Sequence, residues 1–179
     1  EALDHARFGF ARASRLGAEV VVFGSSGAKN VPPGFPPEEA WRQIVGLLQA
    51  VDGGAAEFGI TVAIEPLNTL ESNIINTLAE GLSLTREVNR PRIRLLVEYY
   101  HLVMEKESLD VLDEAGDFLR HVHFAEVEGR AFPRRRAADY ETFFDKLRAV
   151  GYSGRVSVEA FSSDFPGDAA RSLPLLRQL

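Results

Sequence analysis

Five short runs rich in β-branched and aromatic residues, EVVVFG, TVAIE, IRLLVEYY, RHVHFAE and RVSVEAF, recur along this chain, and segments with helical periodicity separate them. Such regular alternation leaves few folds open. Consecutive strands joined by helices pair in parallel, and parallel neighbours are linked by right-handed crossovers that lay the helices on the outside of the sheet. The carboxyl ends of all the strands then face the same side, where α/β proteins build their sites.

The helical segments can be read individually. EALDHARFGFARASRLGA carries Leu3, Phe10 and Leu16 as a candidate apolar stripe, with Gly17 as a helix stop. Prolines and glycines crowd residues 25–37, which predicts a loop on the binding face, with Phe35 and its neighbouring prolines at the pocket. Trp41, Ile44, Val45, Leu48 and Val51 fall at spacings of three and four and predict a helix that buries Trp41 in the core. Thr77 and Glu80 stand in a capping-box relation ahead of a helix that stops before Pro91. SLDVLDEAG reads as a short helix ending at Gly116. DYETFFDKLRAVG reads as an amphipathic helix stopped by Gly151, and the last helix should be distorted by Pro174.

Four successive strands end on a metal-competent side chain: Glu65, Glu98, His123 and Glu159. Any one of these alone would be an ordinary solvated or hydrogen-bonded residue. Side-chain alternation changes the picture, because Ala63 and Glu65, Leu96 and Glu98, His121 and His123, and Ser157 and Glu159 each share a face of their strand. Three carboxylates and one imidazole form a mostly hard donor set suited to one divalent ion, Mn²⁺ first, with Mg²⁺, Co²⁺ and Zn²⁺ also admitted.

Composition narrows the class. With 45% hydrophobic residues, 26% charged residues and a net charge of −6 over 179 residues, the chain reads as a single α/β domain, residues 1–179. It has no cysteine, so disulfides, thiolate metal sites and thiol nucleophiles are excluded. The acidic balance argues against nucleic acid as a partner, and the lack of a long apolar run argues against a membrane. With no secretory leader pattern, the expected compartment is the cytoplasm. A closed (β/α)₈ barrel takes eight strands and about 250 residues. Five strands, in a chain that opens inside a helix without Met, point either to a small open sheet or to a barrel whose first units are absent from this sequence.

The motifs IEPLN, EYYH, HVHFAEVEGR and VSVEAF together resemble the xylose isomerase-like TIM-barrel superfamily, and within it the sugar isomerase/epimerase group of ketose 3-epimerases and hydroxypyruvate isomerases. The resemblance runs from about Gly17 to the C-terminus and implies the last five of eight βα units of a TIM barrel. It implies that Glu65 and Glu159 both ligate the metal and handle protons, that His123 is a ligand, and that Glu98 stands where the family has Asp. It also implies substrate contacts for His101, Glu71 and Arg130, although Arg130 lies one residue further from His123 than in the ketose 3-epimerases. Arg134, Arg135 and Arg136 stand where the family has a glycine-containing turn, and read either as a solvated basic loop or as an anion contact for a phosphorylated or acidic substrate.

The function so implied is a divalent-metal-dependent isomerase or epimerase that acts on a ketose or related hydroxycarbonyl compound by proton transfer through an enediolate. A homo-oligomer is compatible with it. Three alternatives stay open: a family-2 AP endonuclease-like enzyme, an inosose-type dehydratase, and a truncated, inactive barrel that would associate through its exposed edges.

Overall fold

The computed structural model describes residues 1–179. Helix α1 (Ala2–Arg15) precedes strand β1 (Val20–Phe23), and Gly17 takes the left-handed φ of 78° that turns the chain between them. A one-turn helix, α2 (Ser26–Lys29), comes next, followed by α3 (Pro37–Glu57), β2 (Thr61–Ile64), α4 (Leu78–Val88) and β3 (Ile93–Glu98). Helices α5 (Tyr99–Met104) and α6 (Val111–Ala115) lead to β4 (Leu119–Phe124), and α7 (Ala138–Ala149), β5 (Val156–Val158) and α8 (Phe165–Leu176) complete the chain.

The five strands pair in parallel in the order β1-β2-β3-β4-β5, so every neighbour in space is the neighbour in sequence. Sequential parallel pairing with helices on one side is the winding of a barrel, and the sheet curls accordingly into a half-barrel. Arg120 at the start of β4 and Arg155 just before β5 both reach Glu19 Oε2 at the foot of β1, at 3.5 and 3.6 Å. β1 and β5 remain the sheet's free edges, and Val22 and Val156 on them are each 38% exposed. No helix is long and apolar enough to cross a membrane.

The core lies between the convex face of the sheet and the helices. Ile44, Val45, Leu48 and Val51 of α3 are buried as their spacing predicts. Trp41 is only partly buried, because its indole N–H reaches out to donate to Glu87 Oε2 at 2.7 Å. On β4, Phe124 is fully buried and faces the helices, with ring centroids 5.1 Å from both Tyr99 and Tyr140 and 5.2 Å from Phe144. Its neighbour His123 points to the opposite, concave face, as strand alternation requires. Helix α4 packs closely at Gly81, where a methyl group would come within 2.7 Å of Pro66 and 2.8 Å of Leu95.

Several local expectations are corrected. Only Phe10 of the α1 stripe is buried, while Leu3 and Leu16 are 45% and 88% exposed, because α1 packs mainly on α3 and these two side chains have no layer against them. Residues 25–37 are not all loop, since α2 forms within them. Tyr99 and Tyr100 begin α5 instead of continuing β3. The capping box at Thr77 is half made: Thr77 Oγ1 accepts from Glu80 N at 3.1 Å, but Glu80 Oε2 reaches past it to Asn76 N at 2.6 Å. Helix α8 continues through Pro174 to Leu176. Phe35 packs against the core cluster.

Replacing Phe124 with Ala empties the centre of the aromatic cluster and should destabilise the protein by about 3–5 kcal/mol, read as a lower urea midpoint.

Candidate metal centre and its surroundings

Strand register brings the four predicted residues to one end of the concave face. Glu98 pairs with His123, His123 pairs with Ser157 two residues before Glu159, and Phe23 pairs with Ile64 just before Glu65. One donor atom from each of Glu65, Glu98, His123 and Glu159 lies within 4.8 Å of the other three. His123 Nδ1 is 2.8 Å from Glu65 Oε1 and 3.1 Å from Glu159 Oε2. Glu65 and Glu98 are buried, whereas Glu159, on the last strand, has a side chain 48% exposed.

So many acids at one point require compensating charge. Arg130 supplies part of it. Its Nη2 donates to Glu98 Oε2 and to Glu159 Oε2, both at 2.8 Å, its Nη1 lies 3.5 Å from Glu71 Oε2, and its guanidinium stands 4.9 Å above the Tyr100 ring. Gly129 and Arg130 adopt successive left-handed conformations, φ 71° and 44°, and this turn carries Arg130 into the cluster despite its longer spacing from His123. The predicted set Glu71, His101 and Arg130 therefore gathers beside the four donors.

His101 Nε2 lies 2.8 Å from Glu98 Oε2. On the other side of the ring, Asn68 N donates to His101 Nδ1 at 3.2 Å, so Nδ1 is an acceptor and the imidazole proton sits on Nε2, facing Glu98. The Asn68 side-chain amide also donates to Glu71 Oε1 at 3.0 Å. Asn68 thus arranges both groups. Asn68 closes the IEPLN motif, and nothing in its local spacing signals this role. His121 stays on the inner face, hydrogen-bonded through Nε2 to Ser157 Oγ at 2.9 Å, with its ring perpendicular to that of His123. Arg134, Arg135 and Arg136 are exposed, and Arg136 is paired with Glu141.

The electrostatics follow from this crowding. Burial by itself would lower the His123 imidazole, but hydrogen bonds to Glu159 and Glu65, with their charges, outweigh it and raise its pKa to about 9. The hydrogen bond from His123 brings Glu159 down to about 2 against the opposing effect of burial, helped by the charges of His123 and Arg130. Burial pushes the Glu98 carboxyl up, opposed by His101 and Arg130. The two Glu98 oxygens differ: Oε2 carries the contacts with the His101 imidazole and the Arg130 guanidinium, while Oε1 is buried with no hydrogen-bond partner. An orphaned carboxylate oxygen inside a ring of hard donors fits a divalent cation.

Behind Glu65 lies Lys29, which sequence reasoning passed over in its proline- and glycine-rich surroundings. It is 5% exposed, and burial lowers its ammonium to about 8 against the pull of Glu65.

The chain belongs to the family described as xylose isomerase-like TIM barrel, which matches residues 1–179. It is 35% identical to a ketose 3-epimerase of Arthrobacter globiformis over 128 residues, 70% of this chain and 44% of that protein. Less than half the length of that relative is therefore spanned. A crystal structure of D-allulose 3-epimerase from Methylomonas sp. in complex with D-allulose superposes with a TM-score of 0.88 at 28% identity, covering 99% of this chain and 68% of that one. The 3-keto-D-glucoside 4-epimerase of E. coli is similar at a TM-score of 0.86 and 27% identity, over 99% of this chain and 70% of that one. The half-barrel is thus the fold of an incomplete TIM barrel.

Because the folded pKa of His123 lies above its ordinary value of 6.5, its contribution to stability is complete below about pH 6.5 and is lost as pH rises through about 9. The metal-free protein should show a urea midpoint that falls between pH 7 and pH 8, below the range where the lowered Lys29 ammonium acts in the opposite sense, and His123→Gln should flatten that slope.

Proposed function

We propose that this chain carries the metal centre and acid/base pair of a divalent-metal-dependent sugar epimerase acting on ketoses or closely related hydroxycarbonyl compounds. The observation that carries this reading is the convergence of Glu65, Glu98, His123 and Glu159 within 4.8 Å, with Glu98 Oε1 buried and unpartnered. The similarity to named ketose 3-epimerases supports the substrate class.

Glu65, Glu98, His123 and Glu159 would hold one cation, Mn²⁺ by preference for a three-carboxylate, one-imidazole set. When bound, the ion supplies positive charge against the enediolate that develops as a carbon-bound proton beside a carbonyl departs. Glu65 and Glu159 divide the proton traffic: one takes the proton from one face of the substrate and the other returns a proton to the opposite face, which inverts that carbon. The hydrogen bond from His123 brings the Glu159 pKa down to about 2, so in the metal-free site it is anionic throughout the neutral range. The hand of the substrate decides which glutamate acts first.

Glu98 in place of Asp lengthens the side chain by one methylene, and its Oε2 reaches both the His101 imidazole and the Arg130 guanidinium. His101, with its proton on Nε2, together with Glu71 and Arg130, surrounds the site with polar groups suited to sugar hydroxyls. Arg130 would exchange carboxylate contacts for substrate contacts once a cation is present to balance the acids.

Glu65→Gln and Glu159→Gln should each lower the epimerisation rate of a ketose substrate by about 10²–10⁴-fold, measured by chromatography of the epimer formed. A chelator should abolish turnover and Mn²⁺ should restore it. Full activity in the Glu159→Gln protein would overturn the proposal.

A further inference from the structure

We propose that the segment after β1 is a positioning device for Glu65, in which Gly24 makes room for the carboxylate and Lys29 holds the main chain behind it. The inference rests on the reading of Glu65 as a metal-binding and proton-handling group.

Three contacts from the last residue of β1 and the segment after it converge on Glu65. Its N–H donates to Phe23 O at 3.1 Å, which continues the β1–β2 ladder one residue beyond the strand. Its carbonyl oxygen accepts from Lys29 Nζ at 2.8 Å. Its carboxylate occupies the space where a Gly24 side chain would be: a methyl group there would lie 3.0 Å from Glu65 Cδ, 3.1 Å from its Cβ, and overlap Oε2. Gly24 is not among the residues with positive φ, so the backbone does not demand glycine there. The demand is for volume.

Lys29 is an unusual choice for a purely structural post. An ammonium group that is 5% exposed loses its water, and here it gains one carbonyl hydrogen bond and the nearby charge of Glu65. A neutral side chain would fill the same space without that loss. What the ammonium adds is a directed, charge-assisted hydrogen bond that fixes the Glu65 peptide. The helical turn bearing Lys29 is itself anchored. Val31 N donates to Asn73 Oδ1 at 2.8 Å, Asn73 Nδ2 donates to Val31 O at 2.9 Å, and Ser72 Oγ donates to Asn30 Oδ1 at 2.7 Å. The loop after β1 and the loop after β2 are thus tied together. With its peptide fixed and its rear face against Gly24, the carboxylate presents Oε1 to His123. Supports of this kind around a metal ligand typically control affinity by about 10–100-fold.

The test is Mn²⁺ affinity, measured by electron paramagnetic resonance titration of the purified protein, with far-UV circular dichroism and the thermal midpoint as controls of folding. Gly24→Ala should weaken Mn²⁺ binding about tenfold or more while the fold is retained. If that variant loses its fold, adding Glu65→Asp, which withdraws the carboxylate from the new methyl, should restore it; a double variant that stays unfolded overturns the role of Gly24. The chain has no cysteine, so Lys29→Cys creates a unique thiol. Alkylation of the unfolded Lys29→Cys protein with 2-bromoethylamine, followed by refolding, rebuilds a lysine-like ammonium and should recover Mn²⁺ affinity. Propylation, which rebuilds the bulk without the charge, should leave affinity at least about tenfold weaker. Equal recovery by both reagents, or native affinity in folded Gly24→Ala, overturns the inference while leaving the metal centre intact. Absence of Mn²⁺ binding in the unaltered protein overturns the metal centre and this inference together.

Discussion

The compensation of like charge at the rim of the half-barrel governs everything around it. Glu65, Glu98 and Glu159 are brought together by strand register, and Glu71 closes on them through Arg130. Carboxylates this close, two of them buried, repel one another in a medium much less polar than water. Without a cation the fold meets that demand with a protonated His123 between Glu65 and Glu159 and with Arg130 across Glu98 and Glu159. The compensation leaves Glu98 Oε1 unpartnered. A site whose own cations do not balance its carboxylates suits exchange of those contacts for a bound ion and substrate.

The fold serves this balance by dividing labour between the faces of each strand. On β4 the buried Phe124 joins the aromatic core while His123 turns to the concave face. Core packing therefore fixes the direction of a donor that the core never touches. Loops refine what the strands deliver: Asn68 sets the tautomer of His101, the left-handed pair Gly129 and Arg130 swings a guanidinium inward, and the turn after β1 backs Glu65. Rigid strands supply placement, and loops supply orientation.

Much of this was legible beforehand, and the misses have a common cause. Strand and helix patterns recur every two or 3.6 residues, so the βα order and the inward set of Glu65, Glu98, His123 and Glu159 follow from local spacing. The short helix α5 after Glu98 and the turn α2 were not foreseen, since each is too short for periodicity to register. Exposure of Leu3 and Leu16 was missed because a stripe shows an apolar face and does not show whether another layer lies against it. Lys29 and Gly24 were missed because their significance depends on Glu65, which lies far along the chain.

By itself the sequence determined the kind of sheet, the side on which its strands end, and the chemical character of the donors there, because propensity and alternation act between near neighbours. The tertiary structure alone decided that those donors come within reach of one another, that Arg130 and His123 share their charge, and that a glycine and a buried lysine stand behind Glu65. Those outcomes depend on the curvature of the sheet and the paths of the loops, which arise from contacts between residues tens of positions apart.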